Sequence, residues 1–142
     1  MTAREYLSQL KRIKALIQGK MSDITELRES AVSIGVPYFD DVKVQKSKSD
    51  SRMSDIICEY ADMERNIRQD VAHLTAERLN IIRLIERLPP AEYDVIHKHY
   101  FQEMGLQEIA DKCEKSYSWV TAMHSKALKH VDGLLEKNDL VL

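Results

Sequence analysis

The chain has 142 residues, enough for one compact domain or two small ones, and its four Gly, three Pro and 31% charged residues describe a helical chain rather than a disordered or β-rich one. The net charge is −2, so any contact with nucleic acid has to come from a local basic patch and not from a global excess of Lys and Arg. No apolar run approaches the roughly 18 residues that a membrane span requires, and Arg4, Glu5, Lys11, Arg12 and Lys14 interrupt any leader-like segment, which points to a cytoplasmic protein without a membrane partner.

Thr2 followed by Glu5 has the spacing of a capping box and predicts a helix from Ala3. Leu7, Leu10, Ile13, Leu16, Ile17, Met21, Ile24, Leu27, Ala31 and Ile34 then recur mostly at steps of three and four, a helical period close to a heptad. Gly19 interrupts the sequence but not the phase, and Gly35 with Pro37 ends the helix. Residues 35–52 carry Gly, Pro and three Ser and read as a surface linker, with a short extended piece at Asp41 to Gln45. The Lys43, Lys46, Lys48 and Arg52 cluster in it is interleaved with Asp40, Asp41 and Asp50 and reads as solvated.

A second long helix is expected from about Ser54 to Leu88, with a stripe of Met53, Ile56, Tyr60, Met63, Ile67, Val71, Leu74, Ile81, Ile85 and Leu88, and with Arg78 in the one slot that should be apolar. At 1.5 Å per residue it would be about 50 Å long, too long to bury its stripe on a small domain. The fold class expected is therefore all-α. Residues 1–88 would form a long antiparallel helical hairpin, coiled-coil-like, pairing within the chain or across a homodimer, and serving oligomerisation or interaction. Residues 89–142 would form a second, DNA-binding domain.

Pro89-Pro90 breaks the second helix, and Pro90 suits the first turn of the next. Three short helical segments follow: Ala91 to Phe101, Leu106 to Cys113 behind Gly105, and one from after Ser116 to about Leu135. Ser116 is an N-cap residue type, and the stretch between Cys113 and Ser116 is short enough for a tight turn between crossing helices.

The run LQEIADKCEKSYSWVTAMHSKALKHV resembles region 4 of sigma factors, in Glu108-Ile109-Ala110, the Ser116 cap, Val120, and Lys126-Ala127-Leu128 at ungapped spacing. The resemblance implies a helix-turn-helix whose second helix reads double-stranded DNA, with RNA polymerase as a further candidate partner. Val120, Ala127, Leu128 and Val131, with Met123 or His124, face the core. The residues left for DNA are Lys115, Ser116, Tyr117, Ser118, Trp119, Thr121, Ala122, Ser125, Lys126 and Lys129. Trp119 has two readings, a contact to sugar or thymine methyls, or packing against Tyr100 or Phe101. Residues 91–135 hold five Lys against seven acids, yet Lys115 to Val131 holds three Lys and no acid, so the positive charge is local to the proposed DNA face. Two positions depart from the family pattern: Glu114 stands where the turn usually has Gly, and Lys115 where an apolar residue usually packs.

A sigma factor also needs an aromatic, basic region that melts the promoter. Tyr6, Tyr38, Phe39 and Tyr60 are too sparse for that, so the chain does not read as a self-sufficient sigma factor. The layout of a helical first half and a sigma-like reader, with the opening Thr-Ala-Arg-Glu-Tyr-Leu, is similar to the small phage and prophage transcriptional regulators of the ArpU and RinA type. The alternative is a coiled-coil adaptor or a packaging protein that recognises DNA in the manner of a small terminase.

No enzyme activity, cofactor or metal is expected. His97 and His99 are two apart on a helix and point to different sides, no nucleophile–base pair or Gly-rich phosphate loop occurs, and Cys58 and Cys113 match no metal or redox spacing.

Overall fold

The computed structural model describes residues 1–35 and 48–141, with side chains for 1–35 and 52–138. Five α-helices and one π-helical segment follow in order: α1 (Ala3–Ser33), α2 (Lys48–Ile85), α3 (Pro90–Ile96), the π segment (His97–Phe101), α4 (Leu106–Cys113) and α5 (Tyr117–Val141). The fold is all-α among the described residues. The extended piece expected at Asp41 to Gln45, and Lys43 and Lys46 of the basic cluster, lie outside them.

α1 begins where the capping box places it. Thr2 Oγ1 accepts from Glu5 N–H at 3.2 Å, and Glu5 Oε2 accepts from Thr2 N–H at 3.1 Å. α2 starts six residues before the expected Ser54, so the helix reaches back into Ser-rich, charged sequence that had read as linker. It stops at Ile85, after which Arg87 N–H and Leu88 N–H donate three residues back to Leu84 and Ile85, at 3.2 and 3.0 Å. The Pro89–Pro90 pair follows, and Pro90 opens α3.

The chain divides into two compact units, and the division differs from the one expected at 88/89. One unit is Met1–Lys14 with Ala76–Leu142; the other is Ala15–Thr75. The reason is burial. Ala3, Leu7, Leu10 and Ile13 of α1, Ile81, Leu84 and Ile85 at the end of α2, and Leu88 just beyond it are buried in the first unit together with Val95, Ile96, Phe101, Met104, Ile109, Ala110, Val120, Ala127 and Val131. A fully buried Leu or Ile contributes about 1.5–3 kcal/mol, so the seven Leu and Ile among the first eight of these are a large part of that unit's core. Arg78, the polar intruder in the α2 stripe, lies 5.8 Å from the centroid of the Phe101 ring, a cation–π contact inside the same unit.

The second unit is an antiparallel helix pair within the chain. Lys20 pairs with Asp70 at 3.0 Å and Arg28 with Glu64 at 2.7 Å, so positions rise along α1 as they fall along α2. Ile24 and Ala31 are buried between the helices, and so is Glu64, 6% exposed, whose Oε1 also accepts from Arg68 at 3.2 Å. The Arg28 guanidinium across the helix pair helps to fix its register, because any slip takes that cation away from the buried carboxylate. Met21, Met63 and Val32 stay exposed on this unit.

Candidate nucleic-acid interface

The two helices of the candidate helix-turn-helix are α4 and α5, and the turn between them depends on one strained residue. Glu114 caps α4 in the left-handed conformation at φ 56°, ψ 41°. Lys115 N–H donates to Ala110 O at 3.0 Å, and Glu114 N–H to Asp111 O at 3.4 Å, the paired bonds that close a helix C-terminus. Glycine is the usual residue there because a side chain disfavours this backbone region. The departure from the family pattern at Glu114 therefore leaves the turn geometry intact and charges the strain to the fold's stability.

Ser116 caps α5 as expected. Its Oγ accepts from Trp119 N–H at 3.0 Å and its carbonyl from Val120 N–H at 3.1 Å. Val120, Ala127 and Val131 are fully buried, which sets the helix's rotation. That rotation leaves Ser116, Tyr117, Ser118, Ala122, Ser125, Lys126 and Lys129 exposed, with Thr121 half-buried and its hydroxyl donating to Ser118 O at 3.0 Å. Lys115 in the turn is exposed too, and its ammonium lies 5.3 Å from the centroid of the Trp119 ring.

Trp119 packs in a place that neither expected reading named. It is half-buried against the cluster of Val95, Met104, Ile109, Ala110 and Val120, beside Leu106, Cys113 and Met123, rather than against Tyr100 or Phe101. Its spacing puts it on the α4 side of α5, where an indole fills the crossing of the two helices. Lys115, which replaces the usual apolar turn residue, packs on that indole through the cation–π contact.

Among the described residues, Lys115, Lys126 and Lys129 form no salt bridge. Lys98, elsewhere in the unit, is bound by Asp94. From Lys115 to Val131 no acid occurs, and the nearest one onward, Asp132, accepts from the Ala3 backbone N–H at 2.6 Å.

Behind the face lies a polar cluster that sequence reading missed. His124 is 7% exposed, its Nε2 shares a 3.1 Å hydrogen bond with the Tyr100 hydroxyl, and its ring stacks on Tyr100 and meets His99 edge-on. His99 Nδ1 is 2.7 Å from Met104 O. Burial first, then the neighbouring His99 and Arg4, push His124 down from 6.5 to about 4, so it is a neutral core residue near pH 7. Burial also raises the Tyr100 hydroxyl above its usual range. The π segment aligns these groups, because its wider turn carries His99 and Tyr100 together toward α5. A second long-range polar pair joins buried Glu92 of α3 to the exposed His130 of α5 at 2.5 Å and ties the far end of α5 down. Spacing alone gives no signal for either pair, since each joins residues 24 or more apart.

Residues 78–131 match the family model described as Sigma-70, region 4. No curated protein and no solved structure matches the chain. The matched segment covers the end of α2, α3, the π segment, α4 and α5 as far as Val131, so the capped α4–α5 pair is the helix-turn-helix of a sigma region 4-like DNA-binding segment.

Proposed function

We propose that this chain is a sequence-specific DNA-binding transcriptional regulator that acts at promoters without catalytic activity, a small phage or mobile-element regulator of the ArpU and RinA type. The observation that carries this reading is the acid-free stretch from Lys115 to Val131, held outward by a capped, core-anchored α5 within the sigma region 4-like segment. Ser118, Thr121, Ala122 and Ser125 present small hydroxyl and methyl groups to base edges in a major groove, while Lys115, Lys126 and Lys129 meet phosphates. Tyr117, 50% exposed at the start of α5, reaches a sugar or a thymine methyl. Three phosphate contacts supply modest affinity, with a log–log salt slope of about −3. Such a reader works as part of an assembly, and a homodimer formed through the 15–75 helix pair, with RNA polymerase as a second partner, supplies one. The exposed Met21, Met63 and Val32 of that pair support the homodimer, and they equally favour the second reading of an adaptor or small terminase-like packaging protein.

Titrating salt against the chain on a random-sequence duplex separates the readings. The regulator binds with steep salt dependence, Lys126→Ala weakens binding to all sequences alike, and Thr121→Ala or Ser118→Ala flattens sequence preference. Binding that ignores salt, or is absent, selects the adaptor.

A further inference from the structure

At roughly 100° per residue, α5 turns its sides in a fixed order. Val120, His124, Ala127 and Val131 face the core, and Ser118, Ala122, Ser125 and Lys129 face out. Two flanks separate these sides. On one flank, Trp119 and Met123 pack on the cluster that includes Ile109 and Ala110 of α4, and His130 reaches Glu92 of α3. On the opposite flank, the line through Thr121, Leu128 and Asp132, the chain's own first helical turn is attached: Ala3 N–H donates to Asp132 Oδ1 at 2.6 Å. The start of α1 thus borders the recognition helix on the side away from α4.

The next residue is Arg4. It is exposed, and it forms no salt bridge among the described residues. The acids around this turn are engaged elsewhere, Glu5 with Thr2 N–H in the capping box, Asp132 with Ala3 N–H, and Glu103, which lines one pocket with Ser8 and Lys11, with Lys14 at 3.5 Å. The positive charge of Arg4 pulls down the pKa of His124 and works against the burial that raises Tyr100, so this end of α1 lies within electrostatic reach of both. Lys11, two turns on and also exposed, shares its side of α1.

A helix lying in a major groove has a phosphate wall on each side. Lys112 and Lys115 stand on the α4 side of α5, and α5 itself has no cation on the opposite flank before Lys129. We propose that Arg4 contacts a phosphate of duplex DNA on the strand opposite the one met by Lys112 and Lys115, with Lys11 adding to the field behind it, so that the first turns of α1 belong to the DNA-binding surface. This rests on the reading in which α5 enters the major groove. It gives the docking of residues 1–14 on the helix-turn-helix a role that packing alone does not require.

The test is a salt titration of the full chain on a duplex it binds, comparing wild type with Arg4→Gln, Arg4→Lys and Arg12→Gln. Arg12 is exposed and lies about 80° further round α1 from Arg4, on the side opposite the buried Ala3, Leu7, Leu10 and Ile13. Loss of one phosphate contact makes the log–log slope shallower by about 0.9, which is about tenfold weaker binding at 0.1 M salt, vanishing toward 1 M. That change in Arg4→Gln, with wild-type slopes in Arg4→Lys and Arg12→Gln, supports the proposal. A wild-type slope in folded Arg4→Gln, or equal losses in Arg4→Gln and Arg12→Gln, overturns it while leaving the reading of α5 standing. If Arg4→Gln fails to fold, Ser8→Lys decides: Ser8 is exposed one turn further along the same side, and an added cation there steepens the slope if the surface faces DNA and leaves it unchanged if it does not. Wild-type protein with no salt-sensitive DNA binding ends both the proposal and the reading beneath it.

Discussion

His124 makes the helix-turn-helix unit acid-sensitive, by an amount that follows from its surroundings. Protonating it would place a cation in a site packed by Tyr100, His99 and the nearby Arg4, and its folded-state pKa falls from 6.5 to about 4. The unfolded chain therefore takes up the proton first. Stability from this group is complete above pH 6.5, declines as the pH falls through the window down to about 4, and is fully lost below it. One pKa unit corresponds to about 1.4 kcal/mol, so the whole window amounts to about 3 kcal/mol and the step from pH 7.5 to 5 to about 2 kcal/mol. Urea unfolding of wild type and His124→Gln at pH 7.5, 6 and 5 isolates this contribution from that of the carboxylates. The variant is less stable near neutrality, because the ring stacking is lost, but its stability falls by about 2 kcal/mol less than wild type's between pH 7.5 and 5. Parallel pH profiles for the two proteins would refute the assignment of His124 as a buried neutral ring.

Other outcomes follow from single contacts. Glu114→Gly relieves the left-handed cap of α4 and raises unfolding free energy by about 0.5–1 kcal/mol, read by urea denaturation, with DNA affinity unchanged. Asp132→Ala removes the cap on Ala3 N–H and costs about 1 kcal/mol, and hydrogen exchange of the first α1 amides rises with it. Arg28→Ala removes one of the two guanidiniums that hold the buried Glu64 and destabilises the helix pair by about 1–3 kcal/mol, whereas Arg28→Ala with Glu64→Leu costs less than Arg28→Ala alone, a contrast that thermal unfolding of the two variants reads directly.

Much of this architecture was legible in the sequence because it rests on local chemistry. The capping box at Thr2–Glu5, the Pro pair before α3, the Gly105 start of α4 and the Ser116 cap of α5 each act within a few residues, and the α4 limits were read as Leu106 to Cys113, as the structure has them. Long-range partnership was not legible. A helical stripe states that Leu7 and Ile85 are buried but not against what, so residues 1–14 and 76–88 were assigned to a hairpin although their apolar face closes the helix-turn-helix core. Trp119 failed in the same way: its half-burial was within reach, but the choice among Tyr100, Phe101 and the Ile109–Ala110 crossing depends on a helix angle that no spacing encodes. The outward positions of α5 were easier, because three buried residues at helical spacing fix the rotation of the rest. Arg4 gave no signal at all, since its relevance comes from a backbone bond to a residue 129 positions away from its neighbour Ala3.

Selection of bound sequences from a random duplex pool, run with the wild-type chain and with Ser118→Ala and Thr121→Ala, tests the claim that α5 reads DNA most directly. The account predicts one enriched element for the wild type, with information lost at particular positions of that element in each variant. A pool that stays random, or an element unchanged by both substitutions, would contradict it.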